Sequence, residues 1–189
     1  MKEMVFDTFI KGENINLICL NEDVINNSNW YNWFNDEVNT DTMQQHYFPN
    51  TKEKQLNFYK SQIENNSSKI QLGILHSKDN ILIGVISLSN INYLNRSAEF
   101  GVLVGEKKYK NFNYFIEAAR LIINHGFETL NLNRISSGTI VKEIDTMFCK
   151  VLGFTHEGIF KEAVFKNGKY VDVYSHALLK KNYTKKIKK

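Results

Sequence analysis

A single carboxylate interrupts the apolar run SAEFGVLV at residues 97–104. Alternation along a strand places Glu99 on the same face as Gly101 and Leu103. An unpaired charge among apolar neighbours is costly, so the residue needs a purpose. Glu99 reads either as a general base with a raised pKa or as one half of a salt bridge to Arg96 or Arg134. The run continues into a basic loop, GEKKYKN (105–111), and then into FNYFIEAARLI. There Phe115, Ala118, Ala119, Ile122, Ile123 and Phe127 recur at helical spacing. A helix start offers unpaired N–H groups and a positive dipole end. Strand, basic loop and helix can therefore cradle phosphate, with Lys107, Lys108 and Lys110 adding attraction. The other reading is a turn with solvated lysines.

Two further groups are candidates for substrate contact. His46, Tyr47 and Phe48 precede the only proline, Pro49, in HYFPNT. His46 can accept a proton, and Tyr47 and Phe48 can touch a substrate; the alternative is an ordinary surface loop. Trp30 and Trp33 can stack on a sugar or nucleotide ring, or simply fill the core. Cys149 has no histidine in a pairing pattern and reads as a small buried hydrophobe. His125, His156 and His176 have no metal-ligand spacing, so they read as structural or surface residues and no metal is expected.

These residues need elements to hold them. Ile15 to Leu20 reads as a first strand. Asn21 or Asp23 opens a helical stretch in which Trp30, Trp33, Phe34 and Val38 form one apolar face. Thr51 caps a second helix with Leu56, Tyr59 and Ile63 on one side. Residues 69–76, 81–91 and 97–104 form a three-strand antiparallel meander. After the helix at 112–128, Arg134 to Ile140 is a strand and Glu143 to Leu152 a short helix closed by Gly153. A hairpin turning at Asn167-Gly168 completes the chain. The fold class is α/β: one domain over residues 1–179, with a mostly antiparallel mixed sheet flanked by helices, and a basic tail at 180–189.

The 189 residues are 42% hydrophobic and 13% aromatic, which excludes a disordered body. Two cysteines cannot build a disulfide framework. No apolar run approaches the roughly 20 residues of a membrane span, and MKEMVFDTFIKGEN meets charge too early for a secretory signal. A cytoplasmic protein without membrane association is expected. The net charge of +4 belongs to the tail, whose six lysines and no acid leave a body of 18 basic and 20 acidic residues. With only three arginines, no nucleic-acid partner is expected.

The order of segments carries a resemblance. Strand 97–104, the loop and helix 112–128, then LNLNRI (130–135), VLGF (151–154), EG (157–158) and NGKYVDVY (167–174), resemble the GNAT superfamily of acyl-CoA-dependent N-acetyltransferases. Within it, the chain is similar to the ribosomal-protein branch and to amino-sugar acetyltransferases of surface-glycan pathways. WYNWFNDEVNTDTMQQHYFPNT is similar to the glycan-pathway members, in which a tryptophan helix is followed by a substrate-side loop.

The resemblance implies acetyl-CoA as acyl donor, with a strand-loop-helix cradle for it. The cradle would comprise the backbone of Val102, Leu103 and Val104, then Lys107, Lys108, Lys110, Asn111, Phe112, Asn113 and Tyr114, with Lys142 and Phe148 beside the pantetheine arm. The family's loop glycines fall at Asn111, Asn113 and Phe115, so the turn is expected to use positive φ at the two asparagines. A family tyrosine that protonates the leaving thiolate corresponds to Phe148 or Cys149, with Tyr109 and Tyr114 as stand-ins. Catalysis would fall to Glu99 and His46, and acceptor contact to Trp30, Trp33, Tyr47 and Phe48. The implied reaction is acetylation of a primary amine on a nucleotide-linked amino sugar, by a monomer or homodimer. The alternatives are acetylation of a protein, or a GNAT-fold module that binds without turnover.

Overall fold

Eight strands form one sheet in the order β1-β2-β3-β4-β5-β6-β8-β7. In the computed structural model, which describes residues 6–43 and 48–183, they are β1 Thr8–Lys11, β2 Ile15–Cys19, β3 Ile70–His76, β4 Ile81–Asn92, β5 Ser97–Val104, β6 Arg134–Thr139, β7 Thr155–Lys166 and β8 Lys169–Leu179. All neighbours run antiparallel except β5 and β6, which are parallel. The expected meander is β3–β4–β5. The expected hairpin is β7–β8, with Asn167 at φ 50° and Gly168 at φ 79°. Both central residues therefore take the left-handed conformation that a tight two-residue hairpin demands. β1 was not anticipated: TFIK is only four residues and mostly exposed, so it carries no alternation to read.

Helix α5 (Phe112–Asn124) covers one face of the sheet. Its Ala118, Ala119, Ile122 and Ile123 join Ile15, Leu17, Ile74, Ile86, Leu88 and Phe100 in the larger core cluster. The opposite face carries a second cluster, in which Trp30, Trp33, Val24, Ile25 and Tyr59 pack on Ile18, Leu82, Val85 and Leu103. The helical members come from α1 Glu22–Asn27, α2 Trp30–Trp33 and α4 Lys52–Tyr59, with a further short helix, α3 Glu37–Thr40, between α2 and α4. Asn21 caps α1 by accepting from Val24 N at 2.9 Å, and Thr51 caps α4 by accepting from Lys54 N at 3.2 Å. The helix expected to run through Val38 is broken instead. Asp36 accepts from Val38 N at 2.9 Å and opens α3 afresh, which leaves Val38 63% exposed.

Helix α6 (Lys142–Met147) continues as a π turn to Leu152 and ends at Gly153, whose φ of 79° is the left-handed cap expected there. Residues 180–183 turn back on the domain: Lys180 Nζ donates to Phe127 O at 2.6 Å, and the Tyr183 ring lies 5.1 Å from that of Phe127. No helix among the described residues is long and apolar enough to cross a membrane.

Candidate active site

β5 and β6 pair at Ser97–Arg134, Ala98–Ile135 and Glu99–Ser136, and then part. The parting strands stay linked where Ser137 Oγ donates to Phe100 O at 3.0 Å. Beyond that point the β6-facing edge of Gly101 to Val104 is released from the ladder, so its backbone polar groups need another partner.

Beside this splay, on the sheet face away from α5, lies a cavity of about 580 Å³. Its floor is Gln71 of β3, Val85, Ser87 and Ser89 of β4, and Gly101 and Leu103 of β5; Val102 also lines it. The register explains the grouping, since Ser87 faces Gly101 and Val85 faces Leu103. The walls come from the N-terminal half, including Phe34, Met43, Phe48 and Pro49. Phe48 is 85% exposed, as a residue at a cavity mouth should be. Lys166 of β7 donates to Thr40 O at 2.7 Å and to Met43 O at 3.0 Å, tying the terminal hairpin to the wall segment. His46 and Tyr47 lie outside the described residues.

Glu99 sits at the floor's rim, opposite Ser89 in the register and on the face predicted for it. The expected burial is not found: the side chain is exposed and pairs with neither Arg96 nor Arg134. Arg134 pairs with Glu157, and Arg96 donates to Asn131. Instead Asn90 Nδ2 donates to Glu99 Oε2 at 3.0 Å. The β4–β5 register slips between Ser89 and Asn92, and Asn90 takes φ 51° there. This is a conformation asparagine tolerates well, and it places the amide over the carboxylate.

The tryptophans do not face a substrate. Trp30 and Trp33 are 0% and 1% exposed. Trp33 instead clamps the loop after β5, because its Nε1 donates to Glu106 Oε1 at 2.9 Å and its ring lies flush against Gly105. Asn29 Nδ2 reaches the same carboxylate at 3.3 Å. Asn39 Nδ2 donates to Gly105 O at 3.0 Å, and Lys107 pairs with Asp36 at 2.8 Å. That bond lowers the Asp36 pKa. The N-terminal helices thus fasten the β5–α5 loop at three consecutive residues, and Lys107 is a tether rather than a free cation. Lys108 and Lys110 remain exposed beside the α5 N-terminus.

The loop does not use left-handed asparagines. Asn111 has φ −117° and is the N-cap of α5, accepting from Asn113 N at 2.8 Å. Asn113 is inside the helix, so neither asparagine replaces a glycine. Phe112 is half-exposed at the helix start. Tyr114 turns toward the β3–β4 connection, where its hydroxyl lies 3.0 Å from His76 Nε2. Tyr109 donates to Asp79 at 2.6 Å, which pushes its pKa up to about 12. Both hydroxyls line a separate cavity of about 420 Å³, so neither serves as proton donor at the splay.

Phe148 is buried against Phe100, Phe115, Phe154 and His176. It fills the core beneath the splay, as an aromatic without a hydroxyl must, and Lys142 is exposed at the start of α6. Burial, with Asp145 nearby, raises the Cys149 pKa, which argues against a nucleophilic thiolate. Asp172 holds backbone: it accepts from Glu162 N at 2.9 Å, at a bulge where Glu162 has φ 49°.

One cluster escaped the sequence reading. Asp145, 6% exposed, accepts from His176 Nδ1 at 2.7 Å and lies 2.9 Å from His156 Nδ1. The two histidines sit on β8 and β7, so the carboxylate pins α6 to the terminal hairpin. Among the described residues no group of His, Cys, Asp or Glu is placed to hold a metal ion. Burial pushes the fully enclosed His176 below the ordinary imidazole value, and Asp145 opposes this only in part. The unfolded chain protonates this histidine near pH 6.5, whereas the folded chain does so only at lower pH. Its contribution to stability is therefore fully present above about pH 6.5 and is lost as pH falls through the folded value. His176→Asn replaces the Nδ1–H donor with a non-titrating amide, so the fall in Tm between pH 7.5 and pH 5 should flatten. An equally steep fall in the variant would refute the assignment.

Solved structures share this fold. The spermidine N-acetyltransferase of Vibrio cholerae, solved in complex with CoA and spermine, superimposes with a TM-score of 0.80 at 22% identity, covering 91% of this chain and 99% of that one. At that identity the likeness establishes the fold. By sequence the chain is 35% identical over 108 residues to a spermidine N(1)-acetyltransferase of Vibrio cholerae, covering 54% of this chain and 59% of the relative. It is 31% identical over 115 residues to a Bacillus subtilis protein named "Putative ribosomal N-acetyltransferase YdaF", covering 60% and 61%. The matches thus span about three fifths of these relatives' length. The profile of the acetyltransferase (GNAT) domain matches residues 25–146, from the N-terminal helices through the parting strands into α6, and the chain belongs to the GNAT acetyltransferase family.

Proposed function

We propose that this chain transfers an acetyl group from acetyl-CoA to a primary amine on a small molecule. The observation that carries the reading is the parting of β5 from β6 directly beside a cavity with Glu99 at its rim. The residues present fit the donor. The freed edge of Gly101 to Val104 suits the amide groups of a pantetheine arm, and the α5 N-terminus with Lys108 and Lys110 suits a pyrophosphate. Acetyl-CoA supplies the activated acyl group. The chain's own part is positional and electrostatic. Glu99 accepts the proton of the incoming ammonium, directly or through one water, so that a neutral amine attacks. Asn90 orients that carboxylate. Backbone N–H groups of the freed β5 edge, between Val102 and Val104, polarise the acyl carbonyl, whereas the Gly105 N–H is held by Ile83 O at 2.9 Å. Phe148 is apolar, and Tyr109 and Tyr114 are engaged elsewhere, so none of these three would protonate the leaving thiolate.

The test is calorimetric titration with acetyl-CoA, followed by thiol release in the presence of amines. Saturable one-site binding and amine-dependent thiol release are expected. Binding without release for any amine would favour a binding module, and no binding would refute the reading. Asn111→Gly should tighten acetyl-CoA binding, because it frees the Asn113 N–H now occupied by the cap, at a stability cost of only a few tenths of a kcal/mol. Weaker binding would mean that the asparagine side chain is itself a ligand. Asn113→Gly offers no such gain, since a glycine inside the helix costs about 1 kcal/mol.

A further inference from the structure

The charge of the cavity wall says what kind of amine it suits, on the acetyltransferase reading above. The floor runs in rows across three strands. Gln71, Ser87 and Gly101 form one row. Lys69, Ser89 and Glu99 form the next, because Lys69 directly precedes Ile70, whose partner is Leu88. Lys54 of α4 stands at the wall. Among the described lining residues, Lys54 and Lys69 are the charged ones, and neither Asp nor Glu is present.

Lys69 is the informative cation. Its Nζ lies 4.6 Å from the Phe58 ring centroid, and among the described residues it makes no ion pair. Burial lowers its pKa. A half-buried ammonium facing a cavity with no carboxylate among its described lining residues is an unfavourable arrangement that a bound anion relieves. A polyamine would bring further ammonium groups against two lysines, with Glu99 at the rim as the carboxylate available to them, and like charges brought together repel.

We propose that the acceptor is a primary amine that also carries an anionic group, phosphate or carboxylate, held at Lys69 while the amine lies at Glu99. Two strand spacings separate those residues, about 10 Å, which sets the scale of the acceptor. Lys54 donates to Pro49 O at 3.0 Å and adds positive potential along the wall.

The experiment uses one neutral parent, glucosamine, and three anionic relatives of it: glucosamine 6-phosphate, UDP-glucosamine and the carboxylate muramic acid. Spermidine is the polycationic comparison. Binding to the whole chain is followed by calorimetry without acetyl-CoA, and turnover is followed by thiol release. At least one anionic amine should bind about 10-fold or more tightly than glucosamine, a difference of about 1.4 kcal/mol. Lys69→Met, which keeps the stem over Phe58, should abolish that preference, and Lys69→Arg should retain it. The responding compound distinguishes phosphate from carboxylate. A preference for spermidine, no preference for any anion, or a preference intact in Lys69→Met would overturn the proposal. Turnover separates the two readings. Anion-selective binding without acetyl transfer upholds the anion site and overturns the acetyltransferase; acetyl transfer without anion selectivity does the reverse.

Discussion

Glu99→Gln should lower kcat by about 10²–10⁴-fold, the usual contribution of a positioned general base, while leaving acetyl-CoA affinity nearly unchanged. The reason is separation of roles. Glu99 stands at the rim of the acceptor cavity, where β5 still pairs with β6, whereas the surfaces that suit the coenzyme lie further along β5 and at the α5 N-terminus. Glutamine keeps the shape and can still meet Asn90, so the loss reports proton acceptance rather than packing. Asn90→Ala should give a smaller loss in kcat, because it removes the orienting amide and leaves the base. A Glu99→Gln enzyme with unchanged rate would exclude Glu99 as the base. Glu99 is exposed, and an acceptor seated in the cavity would cover this part of the floor.

Much of the scaffold was legible in the sequence because its signals are local. The alternation of SAEFGVLV, the spacing of Ala118, Ala119, Ile122 and Ile123, the Asn167-Gly168 turn and the Gly153 cap each encode their element within a few residues. The face shared by Glu99, Gly101 and Leu103 follows from the same period of two. The functional surroundings were less legible because they are built from pairs distant in the chain. Trp33 with Glu106 and Asn39 with Gly105 are separated by 73 and 66 positions, and no periodicity announces them. Asp145 meets His176 across 31 positions for the same reason. Asn111 was misread as a glycine substitute because asparagine suits both a left-handed turn and a helix cap, and only the backbone distinguishes them. Lys69 carries no signal in the sequence because a lysine at the start of a strand is ordinary until the described residues around it show a cavity lined by no carboxylate.

The contact between Trp33 and Gly105 offers the other large effect, and a way to isolate it. A Cβ at residue 105 would lie 2.1 Å from Cδ2 and 2.2 Å from Cγ of Trp33, far inside van der Waals contact, so Gly105→Ala forces the ring or the loop to move. Overpacking of this kind typically costs about 1–3 kcal/mol. Trp33→Ala empties a fully buried site and should cost about 3–5 kcal/mol, leaving Glu106 without the indole donor. The two losses should not add. With the indole gone, the alanine methyl enters the vacated space, so the double variant should be barely less stable than Trp33→Ala alone, a coupling of the size seen for residues in direct contact. Strict additivity in denaturant unfolding would show that the loop is not held by this ring. The same contact bears on function, because the residue after Val104 fixes where the freed strand edge ends and the lysine loop begins. Gly105→Ala should therefore raise the KM for acetyl-CoA more than it changes kcat, and Trp33→Phe, which keeps a ring against Gly105 but loses the bond to Glu106, should fall between wild type and Trp33→Ala in stability.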